Sequence, residues 1–344
     1  MTEVEGIDAH AVTAWLTART DLRPPLTFEV IQGGRSNLTY TVTDTSGQRV
    51  ILRRPPLHGV LESAHDMGRE HRIMSALAET DVPVPDCIGV EPDAQVTGAP
   101  FYAMRFVDGE VIRDTHAAER HLTPATRAAA ADDLVDVLVR LHAVDPDTVG
   151  LGDLARKEGY IDRQLRRWHA QLLAGRTREL PVLEEVHARL SADVPVQGPA
   201  TIVHGDYRLD NLVLDPATGK VCAVLDWELT TLGDPLADVG LLMVYWSEAG
   251  DETIPLLDSP TTIEGFPERR QLADRYADRS GRNLDELGFY VAFGYWKLAC
   301  ILEGVYSRYA SGAYGETDGS FEAFGQMVVQ LGDRAAHAAS EAGR

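Results

Sequence analysis

Residues 201–214 read TIVHGDYRLDNLVL, and residues 221–228 read VCAVLDWE. In both stretches a short apolar segment typical of a buried strand runs directly into polar side chains. The carboxylates of Asp206 and Asp226 and the amide of Asn211 stand in these polar segments. Two carboxylates and an amide at the ends of neighbouring short strands can bind a divalent cation and orient a hydroxyl group. Because phosphoryl transfer requires both, the two stretches predict a site for that chemistry.

The part of the chain before these stretches predicts a small antiparallel sheet. Alternating apolar residues indicate strands, and Gly33-Gly34 and Ser46-Gly47 supply turns between the first three of them. The predicted strands are Leu26–Gln32, Asn37–Thr43, Arg49–Arg53 and Phe101–Val107. Helices are predicted at Ala9–Ala18 and Ser63–Ala78.

After Asp108-Gly109 the apolar pattern becomes helical. A helix begins at Thr123-Pro124, an N-cap followed by a first-turn proline, and runs to about His142. Further helices are predicted near 158–173, 180–191, 235–246, 268–279, 284–308 and 319–338. The pattern therefore predicts an α+β architecture with a strand-rich lobe over residues 1–107 and a mainly helical lobe over residues 108–344.

Composition and charge limit the classes of partner. The 344 residues are 44% hydrophobic, and 32 Lys and Arg against 53 Asp and Glu give a net charge of −21. Nucleic acids and anionic membranes need a basic surface, so neither is expected as the main partner. No apolar run approaches the ~20 residues that span a bilayer, and MTEVEGIDAH at the start has no secretion-signal pattern. With three widely spaced cysteines read as free thiols, we expect a cytoplasmic protein without a membrane partner.

HGDYRLDN followed by LDWE resembles the catalytic core of the aminoglycoside phosphotransferase and choline kinase family, whose members are relatives of the protein kinases. The run LDWELTTLGDPLADVG at 225–240 is similar to a subfamily that occurs alone in actinobacteria and as the kinase domain of acyl-CoA-dehydrogenase-type proteins. The resemblance extends from about Thr27 to Gln330. It implies a protein-kinase-like two-lobe fold, with a small antiparallel-sheet lobe that binds nucleotide and a large helical lobe that binds the acceptor.

The resemblance also implies a role for each residue of the motif. Asp206 matches the catalytic aspartate that accepts or orients the proton of the acceptor hydroxyl, and His204 matches a histidine that braces the loop. Asn211 and Asp226 match the ligands of Mg²⁺. Asp238 matches an aspartate that supports the catalytic loop. Taken alone, an aspartate in such a loop also fits simple turn formation.

The N-terminal lobe is implied to bind the nucleotide. The loop that would cover its phosphates contains Gly33, Gly34, Ser36 and Asn37. Arg53 stands where the family has a phosphate-contacting lysine, and Glu70 matches the glutamate that pairs with it. Arginine keeps the positive charge but not the reach of lysine. From the residues alone, the glycines also fit a plain hairpin turn, and Arg53 and Glu70 also fit solvated surface positions.

We therefore predict a kinase that transfers the γ-phosphate of ATP or GTP, with Mg²⁺, to the hydroxyl of a small molecule. The subfamily resemblance implies a hydroxyacyl-CoA or hydroxy acid as that acceptor, and Arg163, Arg166 and Arg167 on one predicted helix offer a basic patch for it or a solvated face. Two alternatives stay open: an aminoglycoside phosphotransferase, and a kinase-fold module that binds nucleotide or acyl-CoA without catalysis. Lys297, Glu303 and Arg308 in the C-terminal helices are further candidate acceptor contacts.

Overall fold

A computed structural model of the chain describes residues 4–31, 37–57, 66–252, 259–310 and 321–343. The chain divides into two compact units. The first unit contains Met1–Gly109 and Cys222–Leu229, and the second contains Glu110–Val221 and Thr230–Arg344. Residues 222–229 thus group with the N-terminal segment although they follow it by more than 100 residues.

The first unit is built on a five-stranded antiparallel sheet with the strand order β1-β2-β3-β5-β4. Its elements are α1 (Ala9–Thr17), β1 (Thr27–Val30), β2 (Leu38–Thr43), β3 (Arg49–Arg54), α2 (Met67–Leu77), β4 (Cys87–Glu91) and β5 (Phe101–Arg105). The predicted antiparallel meander and the α+β fold class are confirmed. Helix α2 begins later than predicted because the side chain of Asp66 caps it, accepting the Arg69 N–H at 2.9 Å.

Helix α1 covers one face of this sheet. Trp15 and Leu16 are buried, and the Trp15 ring meets the Phe101 ring edge to face with centroids 4.9 Å apart. The sequence pattern did not predict β4, whose residues are all half-buried and whose register with β5 shifts between Cys87 and Gly89. A strand with an irregular register and no fully buried face shows no alternation in its sequence.

Hydrogen bonds explain why Cys222–Leu229 belongs to the first unit. The N–H of Val224 donates to the carbonyl of Pro83 at 2.8 Å, and Asp226 pairs with Arg53 of β3. Directly after Asp226 the chain forms a 3₁₀ turn over Trp227–Leu229, which packs against α2. A change in the apolar pattern at Asp108-Gly109 carries no information about an eight-residue return of this kind.

The second unit is mainly helical. Its helices are α3 (Thr115–His121), α4 (Pro124–Ala143), α5 (Tyr160–Gly175), α6 (Pro181–Ala192), α7 (Leu236–Tyr245), α8 (Arg269–Ser280), α9 (Leu287–Ala310) and α10 (Glu322–Glu341). The short strands that interrupt them are β6 (Thr201–Val203), β7 (Leu212–Leu214), β8 (Val221–Val224), which continues into the first unit, and β9 (Thr231–Gly233). None of the helices in the described residues is long and apolar enough to cross a membrane.

The core of the second unit holds the strand from which the HGDYRLDN loop starts. Buried residues of α5, α6, α7, α9 and α10 form one apolar cluster that includes Val203 of β6. Strand β9, which the sequence did not predict, pairs with β6 in the antiparallel register Val203↔Thr231. A side chain at Gly233 would lie 2.4 Å from the Tyr160 ring, so only glycine fits there. The loop therefore begins at a fixed point of the core.

Candidate active site

The second unit holds the HGDYRLDN loop through backbone hydrogen bonds to one buried carboxylate. The N–H groups of His204 and Gly205 donate to Asp238 Oδ2 and Oδ1 at 2.7 and 2.8 Å. Asp238 is in the first turn of α7 and is fully buried. These bonds agree with the supporting role that the resemblance implies for Asp238.

Asp238 is kept ionised by a buried chain of polar groups. His142 Nε2 lies 3.2 Å from Asp238 Oδ2, and the Tyr276 hydroxyl lies 2.8 Å from His142 Nδ1. Burial works to raise the pKa of Asp238, but the hydrogen bond and charge of His142, together with His204 and the Gly205 N–H, lower it overall. A negative charge is therefore available under the loop at neutral pH.

Asp206 and Asn211 face each other within the loop. Asn211 Nδ2 donates to the carbonyl oxygen of Asp206 at 2.8 Å and to its Oδ2 at 3.1 Å. Since both acceptors are oxygens, the amide nitrogen faces Asp206, and Oδ1 of Asn211 is turned away from it. The N–H of Asp206 donates to His204 Nδ1 at 3.3 Å, which is the kind of bracing contact expected of His204.

Two further side chains surround Asp206 that the sequence did not single out. Arg208 bridges two carboxylates, with Nε 3.5 Å from Asp206 Oδ2 and Nη2 2.8 Å from Asp210 Oδ2. Its guanidinium lies 4.7 Å from the centre of the Tyr245 ring. Burial, and next the negative charge of Asp206, raise the pKa of the Tyr245 hydroxyl well above its usual value. No motif signals Tyr245, because it reaches the loop from the end of α7.

The first unit contains a second charged cluster, centred on Arg53 of β3. Its guanidinium lies 2.7 Å from Asp226 Oδ1, 3.5 Å from Glu228 Oε2 and 3.6 Å from Glu70 Oε2. Arg53 is therefore buried rather than a solvated surface residue. Burial works to lower the pKa of Arg53, but Tyr102, Glu70 and Asp226 outweigh it and raise that pKa. The guanidinium stays charged among three carboxylates.

Asn37 and Glu70 close this cluster on the side of the sheet. Asn37 Nδ2 donates to Glu228 Oε2 at 3.0 Å and to Glu70 Oε1 at 3.4 Å, and Asn37 Oδ1 is buried without a hydrogen-bond partner among the described residues. The Tyr102 hydroxyl donates to Glu70 Oε2 at 3.0 Å. The other expected phosphate-loop residues, Gly33, Gly34 and Ser36, lie outside the described residues.

Asp226 has an unusual backbone as well as a charged partner. Its φ of 64° is the one positive value of a residue other than glycine among those that the structure describes. Aspartate tolerates this left-handed conformation better than most residues, and such strained positions are often found at functional sites. The carboxylate is 29% exposed, with Oδ1 on Arg53, so it combines a fixed direction with access for a ligand.

Asn211 of the second unit and Asp226 of the first unit each carry a side-chain oxygen of the kind that binds magnesium. Within the described ranges no group of three or more His, Cys, Asp or Glu side chains could hold a metal. Mg²⁺, however, commonly binds one or two protein oxygens and completes its coordination with phosphates and water. The turned amide of Asn211 presents an oxygen, and the carboxylate of Asp226 presents another. Both donors have the hard oxygen chemistry that Mg²⁺ requires.

Comparison with known proteins gives a consistent picture. The model of a family described as "Phosphotransferase enzyme family" matches residues 27–289. Mouse "Acyl-CoA dehydrogenase family member 10" is 37% identical over 285 residues, which are 81% of this chain but only 26% of that protein. The chain thus spans about a quarter of the length of that curated relative.

Solved structures share the fold. A provisionally assigned aminoglycoside phosphotransferase from Ralstonia eutropha JMP134 is 33% identical with a TM-score of 0.81, covering 97% of this chain and 98% of its own. The streptomycin–ATP–APH(2")-IIa ternary complex is 15% identical with a TM-score of 0.58, covering 88% of this chain and 91% of its own. The second likeness is one of fold alone.

Proposed function

The chain belongs to the phosphotransferase enzyme family, and from this premise we propose a magnesium-dependent kinase that transfers the γ-phosphate of ATP or GTP to a hydroxyl group of a small molecule. The family resemblance and the protein-kinase-like fold expected from the sequence are confirmed. The observation that carries the proposal is Asp206, which stands on a loop braced by Asp238 and shares a hydrogen bond with Asn211.

Asp206 is proposed to orient the acceptor and take its proton. Its carboxylate is 23% exposed, whereas the peptide groups that hold it are buried. The hydroxyl proton passes to this carboxylate while the hydroxyl oxygen bonds to the γ-phosphorus and the bond to the β,γ-bridging oxygen breaks. The hydrogen bond from Asn211 fixes the direction of the carboxylate before the acceptor arrives.

The charged cluster of the first unit is proposed to bind the nucleotide phosphates. Arg53 supplies a permanent positive charge, and Asn37 contributes a polar side chain at the end of the predicted phosphate loop. Asp226 and Asn211 are proposed to hold Mg²⁺. When bound there, the ion would neutralise charge on the phosphates during transfer.

For the acceptor we propose a hydroxyacyl-CoA or a hydroxy acid. Curated relatives of this chain are named as members of an acyl-CoA dehydrogenase family, which supports an acyl thioester as the substrate class. On α5, Arg166 and Arg167 are exposed and available to an anionic group, in an otherwise acidic protein. Arg163 is already bonded to the carbonyls of Arg156 and Glu158, so it adds charge without being free to reorient.

Two alternative functions are distinguished by the experiment that tests this proposal. Arg53, in the place of a lysine, is engaged by three carboxylates, which favours a module that binds nucleotide without catalysis. The Ralstonia neighbour, which is named as an aminoglycoside phosphotransferase, favours an aminoglycoside acceptor.

Purified protein, Mg²⁺ and ATP or GTP would be incubated with hydroxyacyl-CoA esters, hydroxy acids and kanamycin-type compounds, and phosphorylated products detected by mass. We expect product from the esters or acids. Transfer only to aminoglycosides would overturn the acceptor assignment, and transfer to no acceptor would favour the binding module.

The variant Asp206→Asn tests the assignment of the base. It removes the charge while keeping the size of the side chain, and we expect kcat to fall about 10²- to 10⁴-fold. Nucleotide affinity, measured by calorimetry, should change less than twofold because the phosphate-binding residues are untouched. Asp274→Asn, an exposed change on α8, is the control. Turnover near that of the wild type in Asp206→Asn would show that another group acts as the base.

A further inference from the structure

Lys297 is a buried cation whose surroundings are unusual. It is one of three lysines in the sequence, lies on α9 and is 6% exposed. Its Nζ donates to the carbonyl oxygen of Gly205 at 2.9 Å and lies 5.8 Å from the centre of the Trp168 ring. No carboxylate oxygen of the described residues lies within 4.0 Å of this nitrogen.

Burial of the Lys297 ammonium lowers the stability of the fold. An ammonium taken out of water without an ion-pair partner loses solvation that one carbonyl and one aromatic ring only partly replace. Burial accordingly lowers the pKa of Lys297, although the charges of Asp206 and Asp238 oppose this and Arg167 adds to it. A methionine would fill the same volume without the cost, so packing alone does not explain a lysine here.

Lys297 and Asp238 together hold the backbone of Gly205 in the HGDYRLDN loop. Gly205 donates its N–H to Asp238 of α7 at 2.8 Å and accepts from Lys297 of α9 at 2.9 Å. Its φ of 84° is a conformation that glycine adopts easily and that therefore needs external contacts to hold it. The carbonyl that Lys297 binds belongs to the peptide bond leading directly into Asp206.

We propose that Lys297 is a positioning residue for phosphoryl transfer, which fixes the peptide plane between Gly205 and Asp206 and thereby the direction of the Asp206 carboxylate. The inference rests on the proposed function. A charged donor serves this purpose better than a neutral one because its hydrogen bond to the carbonyl is shorter and stronger. Lys297 does not touch the reacting groups in this role, since it acts through the backbone of Gly205.

The test compares Lys297→Met with Lys220→Met in the chain of 344 residues. Lys220 is exposed and pairs with Asp133 of α4. For Lys297→Met we expect kcat to fall at least tenfold, with the KM values of nucleotide and acceptor changed less than twofold and the Tm unchanged or higher. Hydrogen exchange at the amides of His204–Asp206 should become faster. Lys220→Met should keep both kcat and the exchange rates of that loop.

Different results would overturn the inference. An unchanged kcat in Lys297→Met, or a lower Tm with unchanged loop exchange, would show a merely structural lysine, and a large rise in the KM of the acceptor would show direct contact with it. If Lys297→Met fails to fold, Lys297→Gln keeps a neutral donor and should show the same split between kcat and KM. If the wild type phosphorylates nothing, the proposed function fails, and unchanged loop exchange in the variant would then refute the positioning role separately.

Discussion

Asp226 shows how much one residue does in this molecule. Its Oδ1 lies 2.7 Å from Nη2 of Arg53 in an ion pair, and its backbone is left-handed with a φ of 64°. The variant Asp226→Asn removes the charge but keeps a side chain that tolerates this conformation. We expect the affinity for ATP measured with Mg²⁺ to fall at least tenfold, because a neutral amide is a weaker ligand of the ion.

Calorimetric titration of ATP with and without Mg²⁺ separates this effect from a general loss of binding. The affinity without Mg²⁺ should change little or rise, since a negative charge near the phosphates is removed. Asp108→Asn is the matched control, because Asp108 pairs with Arg49 on the surface of the same unit. Equal losses with and without Mg²⁺ would contradict the assignment of Asp226 as a metal ligand.

Because of Asp238, the free energy of unfolding should depend on pH in the acid range. Its pKa is lowered in the folded protein despite burial, because His142 and the loop amides favour the charged form. Its contribution to the free energy of unfolding is therefore complete above the ordinary pKa of aspartate, about 3.9, and is lost as pH falls through the lower folded value. We expect Asp238→Asn to cost about 2 kcal/mol at neutral pH, since hydrogen bonds to a charged acceptor are lost.

Urea unfolding from pH 8 down to the acid limit measures this difference. The difference in the free energy of unfolding between wild type and Asp238→Asn should be constant from pH 8 to about 5 and shrink below about pH 4. For the exposed Asp274→Asn we expect less than about 0.5 kcal/mol at any pH. A gap that widened in acid would mean that Asp238 is protonated in the fold.

Helices α7 and α9 approach each other closely at Gly240 of α7. A Cβ at Gly240 would lie 2.5 Å from the carbonyl carbon and oxygen of Tyr290, which are backbone atoms that cannot move aside. We expect Gly240→Ala to lower the free energy of unfolding by about 2 kcal/mol through this overlap. Denaturation in urea gives the value.

Gly304 on α9 provides the opposite case for the same substitution. Among the described residues, a Cβ there would meet only Arg308 Nη1, at 3.8 Å, which is an ordinary contact. Gly304→Ala should be neutral or raise stability by up to about 1 kcal/mol, because alanine favours a helix. If both variants lost equal stability, close approach at Gly240 would not be the cause.

The elements that the sequence predicts well are those with a regular apolar period or a contiguous motif. The long helices α4 and α9 fall where their buried stripes predicted them, and His204, Asp206 and Asn211 follow from one short motif. Helix α3 was not predicted because Ala118 is its one buried residue, so it has no apolar stripe. Strand β9 is too short to show a period.

The contacts of the candidate site were harder to predict than its residues. Lys297 reaches Gly205 across 92 residues of sequence, and Tyr245 approaches the loop from the end of another helix. No local pattern encodes such a meeting, because it depends on how α7 and α9 pack around β6. The pairing of Arg53 with Glu70 was expected only through the family resemblance. In the structure Arg53 Nη1 lies 3.6 Å from Glu70 Oε2.

At the scale of the whole molecule, the net charge of −21 coexists with buried positive charges at two positions for which we propose functional roles. Arg53 and Lys297 are 9% and 6% exposed. Because long-range attraction is screened over about 10 Å in ordinary salt, the overall negative charge does not determine what these buried cations bind. The acidic surface therefore argues against polyanionic macromolecules without arguing against a small phosphorylated ligand.

The return of Cys222–Leu229 to the first unit limits which gene rearrangements can preserve that unit. Because the chain enters that unit twice, no single cut isolates it from the second unit, and a recombination point between residues 110 and 221 would separate the gene segments for Arg53 and Asp226. A single exchanged segment therefore cannot carry the whole first unit without part of the second. The mouse relative agrees with this, because 81% of this chain aligns within 26% of a much longer protein. Fusion to a new neighbour at either end is the rearrangement that such a topology permits.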